Sequence, residues 1–332
     1  MSILITGAAG YVGSVTARMI AQAGESVIAL DNLQRGHLAA LPPGVPFYRG
    51  DVGDVALVST ILHKHSVQFV LHFAAFAYVG ESVLHPALYY ENNVAQGLRL
   101  LTTLITNGVR GVVFSSSCAT YGTAQTIPIS ESHRQRPLSP YGWSKLMLER
   151  ALEDFDARYS FRSVILRYFN AGGATATNGE HHEPETHLIP SVLSVALGSA
   201  DCISVYGREF PTQDGTAIRD YVHVQDLAVA HIKAIDYLRA GGPTVRLNLG
   251  TGHGHSVLEV VRTVQRVTGK DIPIQWALTR SGDPPALVAH ASKANEVLGW
   301  QPTCSDIETI VTSAWRWHSE HPKGYPSLSP LQ

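Results

Sequence analysis

Three cysteines and three methionines are all the sulfur in the 332-residue chain. Cys118, Cys202 and Cys304 lie far apart with no C-x-x-C spacing, which excludes a disulfide framework and a cysteine zinc site and fits a reducing compartment. Charge of one sign is also lacking. The formal net charge is −2 with 16% charged residues, and no basic run occurs, so nucleic acid and anionic membrane surfaces are poor partners. No apolar run approaches the length of a membrane span. From Met1 the chain goes straight into a short strand pattern, without the basic n-region and long h-region of a signal peptide. These absences predict a cytoplasmic protein. There is no internal repeat.

What is present is an ordinary globular balance, 45% apolar, with enough chain for one large α/β domain or for a cofactor domain plus a substrate domain. Near-continuous apolar runs at 2–6, 26–31, 46–49, 69–73, 111–115 and 163–168 read as strands buried on both faces. Helical stretches at 12–23, 55–64, 88–107 and 144–159 alternate with them, the pattern of a parallel sheet. In the third of these, Val94, Leu98, Leu101 and Ile105 form a helix-period stripe.

After Asn170 the texture changes to Gly, Thr, Asn, His and Pro. A helix at 189–197, another at 222–239 and a buried strand at 245–249 follow, the last suggesting that the chain returns to the first sheet around 220–250. The expected architecture is a Rossmann-type doubly wound parallel sheet, residues 1–170, with a smaller, mixed α/β C-terminal substrate domain over 171–332. The tail from Lys323 is expected to trail over the surface. Sixteen histidines are scattered, apart from His181-His182 in NGEHHEPETH. That stretch reads as a solvated loop rather than a metal tract, because adjacent side chains rarely converge on one ion without a scaffold. No metal is expected.

Residues 6–13 read TGAAGYVG, with Gly7, Gly10 and Gly13 between a strand pattern and a helical one. A tight turn and close backbone approach to a pyrophosphate both need glycine, and the helix N-terminus then holds the phosphates. Asp31 ends the second strand, 18 residues past Gly13. A carboxylate there accepts hydrogen bonds from both ribose hydroxyls and repels a 2′-phosphate, which selects NAD over NADP. Asp51 and Val52, after the third strand, are candidates for the adenine end.

Tyr141 and Lys145 in YGWSK stand four apart, on one helix face. An ammonium near a phenol favours the phenolate and is expected to lower the tyrosine pKa from about 10. Such a tyrosinate takes a hydroxyl proton while hydride leaves the same carbon. The strand GVVFSS ends in Ser115-Ser116-Ser117, and Ser117 lies 24 residues before Tyr141. Ligands sit at strand carboxyl ends in open α/β sheets, so a serine hydroxyl there can bond the reacting oxygen.

TGAAGYVG, HFAA (72–75), SSSCATYG (115–122), SPYGWSK (139–145) and LRYFNAGG (166–173) together resemble the extended short-chain dehydrogenase/reductase superfamily. PTQDGTAIRDYVHVQDLA (211–228), LNLGTG (247–252), RSGDPPA (280–286) and WRWHSEHPKGYP resemble its UDP-glucose 4-epimerase family over essentially the full chain. The resemblance implies Tyr141 as base, Lys145 as its partner and Ser117 as the hydroxyl bridging substrate and tyrosine. It implies NAD contacts at Gly7, Gly10, Tyr11, Val12, Gly13, Asp31, Asn32, Asp51, Val52, Phe73, Ala74, Ala75, Asn92, Ser115, Tyr141, Lys145 and Tyr168. UDP-sugar contacts fall at Ser117, Tyr141, Asn170, His187, Leu188, Tyr206, Arg219, Arg280 and Asp283, where arginine forks suit a diphosphate.

There are departures from that family. Ala77, beside Tyr78, stands where a lysine is frequent; His187 replaces an asparagine of some members; Leu287 occupies the position linked to N-acetylated sugars. A nucleotide-sugar dehydratase would need an Asp-Glu pair after the serine, where Cys118 and Ala119 stand. Epimerases of UDP-N-acetylhexosamine, UDP-xylose/arabinose or UDP-glucuronate remain alternatives, as does a non-catalytic NAD- or nucleotide-sugar-binding regulator. The resemblance also implies a homodimer formed by the helices around 88–107 and 144–159.

Overall fold

The computed structural model describes residues 2–280 and 283–326. Ser281 and Gly282 of the RSGDPPA motif, and the tail beyond Pro326, lie outside the described residues. In chain order the strands are β1 (Ser2–Thr6), β2 (Ser26–Asp31), β3 (Phe47–Arg49), β4 (Val67–His72), β5 (Gly111–Ser117), β6 (Arg162–Tyr168), β7 (Asn170–Gly172), β8 (Ile203–Tyr206), β9 (Ile218–Arg219), β10 (Tyr221–His223), β11 (Val245–Leu249), β12 (His255–Ser256), β13 (Ile274–Ala277) and β14 (Ala286–Leu287). The α-helices are α1 (Tyr11–Gln22), α2 (Val55–His65), α3 (Val79–Leu84), α4 (Pro86–Tyr89), α5 (Gln96–Thr106), α6 (Pro140–Tyr159), α7 (Leu188–Ala196), α8 (Val224–Arg239), α9 (Val257–Thr268), α10 (Ser292–Leu298) and α11 (Ile307–Glu320).

Seven parallel strands form one sheet in the order β3-β2-β1-β4-β5-β6-β11. The order reverses between β1 and β4, which opens a crevice at their carboxyl ends. The central strands are largely apolar on both faces because helices cover both sides of the sheet. Ile3, Ile5, Val27, Ala29, Val113, Val164 and Leu166 join a cluster with Ala17 and Ile20 of α1, Leu227 of α8 and Leu298 of α10. Their neighbours Leu4, Ile28, Leu30, Val112, Phe114 and Ile165 pack the other way, against Val58 of α2, Leu101 of α5 and Leu148 of α6. Period-2 alternation therefore sorts two cores rather than a core and a surface.

The expected return of 245–249 is realised as β11, which pairs with β6 from Val245↔Val164 to Leu249↔Tyr168. A third core lies outside this sheet, where α7, α9 and α11 pack Val192, Leu193, Val260, Val264, Ile310 and Val311 against β8 and β13.

Several expectations need correction. Val222 and His223 are strand, not helix, because β10 pairs with β7; α8 begins at Val224 with His223 Nδ1 accepting from Gln225 N at 3.1 Å. The stretch 88–107 is not one α-helix. It contains a π-helical segment, Tyr90–Ala95, between α4 and α5. The 178–187 stretch is not a solvated loop. Asn178 is buried and bonds Arg18, Ser14 and Ala40, and His181 stacks on His37 at 4.5 Å. Nor does the described part of the tail trail away. Tyr325 stacks on His37 at 5.2 Å and its hydroxyl accepts from Gly179 N. Polar residues here are held by tertiary partners that local composition does not reveal.

The glycine turn after β1 is sterically compelled. Gly7 has φ +69°, and a Cβ there would lie 2.5 Å from Ala74 N; one on Gly13 would lie 2.1 Å from Gly7 O. Gly13→Ala is therefore expected to destabilise the protein by roughly 1–3 kcal/mol through overpacking, measured by denaturant unfolding, while Gly80→Ala, with nothing within 4 Å and no positive φ, meets no such clash.

Candidate active site

The α1 N-terminus has no side-chain cap, since Gly10 supplies none. Its first N–H groups are thus left for an outside acceptor. Asp31 is buried at the end of β2, its Oδ2 accepting from Ala9 N (3.0 Å) and its Oδ1 from Leu33 N (2.8 Å). Burial raises its pKa, opposed by those backbone donors. Asn32 Nδ2 donates to Asp51 Oδ1 at 2.6 Å, so the β2 and β3 candidates share one rim. A glycine cradle that a Cβ would fill, uncapped helix donors and a carboxylate on the neighbouring strand fit a dinucleotide. Gly7, Gly10, Asp31 and Asn32 would hold it.

Other cofactor candidates are placed around this crevice. Phe73 and Ala74 donate their N–H groups to Thr6 O, and Ala75 follows them, partly exposed. Val12 and Val52 pack into the two cores. The Tyr11 hydroxyl is committed to Gly173 O at 2.5 Å. Asn92 lies in the π-helical segment and donates to Asn93 Oδ1. Asn93, which sequence reasoning missed, is the more buried of the two. It pairs with both backbone groups of Phe76 and donates to Ser144 Oγ. The doubled asparagine was the only available signal.

The three serines of β5 are sorted by strand alternation. Ser115 Oγ accepts from the Tyr168 hydroxyl at 2.5 Å, and that hydroxyl also lies 2.8 Å from His231 Nε2. Ser116 points to the other face and donates to Glu149 Oε1 at 2.5 Å. Ser117 remains, its Oγ accepting only from Ala119 N at 3.1 Å, and its hydroxyl is the protein group that most favours ionisation of Tyr141.

Helix α6 begins earlier than its apolar pattern suggests, at Pro140. The Ser139 Oγ cap accepts from Gly142 N at 3.2 Å, which puts Tyr141 in the first turn. Lys145 Nζ donates to Ser115 O at 2.8 Å and lies 5.9 Å from the Tyr141 ring centroid.

The expected depression of the tyrosine pKa is not supplied by the protein alone. Burial pushes Tyr141 up to about 12, with Ser117 opposing, and pushes Lys145 down to about 7, with Glu149 opposing. Glu149 was also missed, although it continues the spacing Tyr141–Lys145–Glu149. It is fully buried and receives Arg167 Nε at 3.0 Å and Nη2 at 2.6 Å.

On the far side of the crevice, Asn170 Nδ2 donates to Asp220 O (3.1 Å). Arg219 donates to Ile218 O and Pro284 O (2.9 Å each) and to Asp283 Oδ1 (3.0 Å). It is the cation acting on buried Cys118, next to Ser117. Arg280 lies 3.7 Å over the Tyr206 ring. Leu287 is buried and registers with Arg219 in β14–β9. His187 caps α7 ahead of Leu188; burial opposes its charge, but Glu180 and then Glu185 raise it to about 10.

Within a doubly wound sheet, these groups define a dinucleotide-dependent enzyme site, and the chain belongs to the NAD dependent epimerase/dehydratase family, whose profile matches residues 3–250. It is 49% identical to the UDP-glucose 4-epimerase of Halalkalibacterium halodurans over 327 residues, 98% of each chain. It is similar to the crystal structure of UDP-glucose 4-epimerase from Brucella ovis in complex with NAD (44% identity, TM-score 0.92, covering 95% of this chain and 97% of that one). It is also similar to the Bifidobacterium longum enzyme in complex with NAD+ and UDP (37% identity, TM-score 0.93, covering 98% and 100%).

Lys145 yields a pH prediction. Its folded pKa, about 7, lies below the unfolded value of about 10.4. The unfolded chain therefore binds more protons between those limits, and stability through this group rises with pH across them and is lost as pH falls toward 7. For cofactor-stripped protein, Lys145→Met should be stabilising relative to the parent at pH 7, and that advantage should shrink toward pH 10 in denaturant titrations.

Proposed function

We propose that the chain is a UDP-glucose/UDP-galactose 4-epimerase that inverts C4 through a transient 4-keto sugar with tightly bound NAD. The observation that carries this reading is the convergence of Ser117, Tyr141 and Lys145 at the carboxyl end of β5 beside the glycine turn. The names of the relatives support it.

Bound by Gly7, Gly10, Asp31 and Asn32, NAD would supply hydride-acceptor chemistry toward C4 and a positive ring charge that favours a phenolate nearby. Tyr141 takes the 4-OH proton as general base. Ser117 bonds the same oxygen and holds it toward the phenol. Lys145, anchored to Ser115 O, orients the proton-transfer pair. Asn170, Leu188, Tyr206, Arg219, Arg280 and Asp283 hold UDP while the flat keto sugar swings about its link to the diphosphate. Tyr141 then gives the proton back to the C4 oxygen, and hydride delivered to the opposite face of C4 would complete the inversion with no oxidant consumed. Residues 171–332 mainly build this sugar-nucleotide side. The acid that a dehydratase needs is missing beside Ser117, since Cys118 is buried with its thiol pushed up to about 12 and Ala119 has no ionisable group.

Tyr141→Phe, folded and still NAD-loaded, is expected to lose about 10²–10⁴-fold in kcat, read as interconversion of UDP-glucose and UDP-galactose without added NAD. Parent-like rates would overturn the mechanism. Product analysis with UDP-N-acetylhexosamines, UDP-xylose and UDP-glucuronate ranks the substrates.

A homodimer completes the proposal. Of the stripe, Leu98, Leu101 and Ile105 pack into the core, where Leu101 is fully buried. Exposed apolar side chains next to that stripe are instead Val83 and Leu84 of α3, Leu88 of α4, and Trp143 and Met147 of α6, with Leu84 74% exposed, and α3 and α4 both pack on α6. Exposed apolar side chains gathered on neighbouring helices suit an interface. Leu84→Arg should shift the protein from dimer to monomer in analytical ultracentrifugation; an unchanged monomeric parent would remove the dimer. No helix among the described residues is long and apolar enough to cross a membrane. Together with three unpaired cysteines, this supports a cytoplasmic location.

A further inference from the structure

Beside the catalytic apparatus, four side chains of the 178–187 segment converge, among them His187, an expected UDP-sugar contact. Glu180, His182, Glu185 and His187 each present one ligand-type atom, and these atoms all lie within 4.8 Å of one another. His187 Nδ1 is 2.8 Å from Glu180 Oε1 and 3.1 Å from Glu185 Oε1. His182 Nδ1 is 3.2 Å from Glu180 Oε1 and 3.8 Å from Glu185 Oε2. A tetrahedral ion with bonds of about 2.0–2.2 Å holds neighbouring donors roughly 3.3–3.6 Å apart. The observed edges bracket that separation.

A self-contained hydrogen-bond cluster does not account for the arrangement. His182 Nδ1 is sealed from solvent and has no hydrogen-bond partner, although a carboxylate oxygen lies 3.2 Å away; the contact is off the line that a hydrogen bond requires. A buried polar atom left in this state calls for a partner, and a coordinated cation provides one. The donors are also held in place from outside. Glu185 Oε1 accepts from Thr186 N and His187 N at 2.7 Å each. The backbone of the segment is tied to the first lobe, His37 Nε2 pairing with His181 O and Arg35 donating to Glu183 O, both at 3.0 Å. His181 turns away to stack on His37, which leaves His182 alone of the adjacent pair to face the cluster.

We propose that Glu180, His182, Glu185 and His187 form a structural site for a zinc-class divalent transition-metal ion. Two imidazole nitrogens and two carboxylate oxygens suit zinc. Calcium takes six to eight oxygens and magnesium an octahedron of them. Two carboxylates neutralise the ion, so the site carries no net charge into a partly buried position. Four protein donors close the coordination sphere, which is the mark of a structural rather than a catalytic metal. Because His187 stands at the N-cap position of α7 and the segment also contacts His37 and Arg35, the ion clamps the entrance to α7 onto the segment that follows β2. Binding releases the proton shared at His187 Nδ1. The proposal does not depend on the epimerase reading.

The test uses full-length NAD-loaded protein without a histidine tag, expressed with zinc and passed over a chelating resin. Elemental analysis should find about one zinc per chain. His182→Ala and Glu180→Gln should fall to background, while His181→Ala keeps its metal. Cobalt in place of zinc should give the intense visible bands of a four-coordinate ion, absent in His182→Ala. Added zinc should raise the melting temperature of the parent by several degrees, reversed by EDTA, and leave folded His182→Ala unmoved. Zinc below about a tenth of an equivalent with no cobalt spectrum and no melting response would overturn the site. So would equal loss of metal in His181→Ala and His182→Ala.

Discussion

A guanidinium and a carboxylate, both withdrawn from water, set the geometry on which the site depends. Arg167 and Glu149 are 0% and 1% exposed and meet through two parallel contacts of 3.0 and 2.6 Å. Ions this deeply buried are tolerable only when every remaining lone pair and proton is used. Here Ser116 and Gln135 also donate to the carboxylate, and the guanidinium reaches the Tyr121 hydroxyl. The pair ties β5, β6 and α6 together at one point. Glu149 is two turns beyond Tyr141 on α6, so fixing its side chain fixes the rotation of the helix, and with it the face that carries Tyr141 and Lys145.

The same pair shapes the electrostatics. Glu149 is the carboxylate that acts on Lys145, but its charge is already committed to Arg167. Burial therefore dominates, and the ammonium is held down near 7 while the phenol is held up near 12. Both groups are driven toward neutrality, a state from which a small added charge shifts proton ownership. Strand alternation does the rest. It sends Ser116 into the ion pair and Ser115 to Tyr168, and leaves the Ser117 hydroxyl facing the phenol.

The parallel sheet was legible because burial on both faces leaves a continuous apolar run, and because glycine at positions 7, 10 and 13 is demanded by backbone contacts under 3.4 Å. Tyr141, Lys145 and Asp31 were legible for a similar reason, since local spacing alone puts them at a helix start and a strand end. Val222 was not, because its strand exists only by pairing with Ala171, fifty residues earlier. The 178–187 stretch misled for the same cause. Its polarity reads as solvation, whereas Asn178 and His181 are satisfied by residues near the start of the chain.

By itself, then, the sequence determined the sheet, its glycine turn and the Tyr141–Lys145 spacing on which the proposed proton chemistry rests, because those follow from periodicities of two and 3.6 and from backbone sterics within a few residues. Tertiary structure alone decided which serine meets the phenol, that Asn93 rather than Asn92 is the more buried of the doubled pair, and that Arg167 holds Glu149. It also decided the protonation tendencies, since burial is a property of everything packed around a group and no local pattern encodes it.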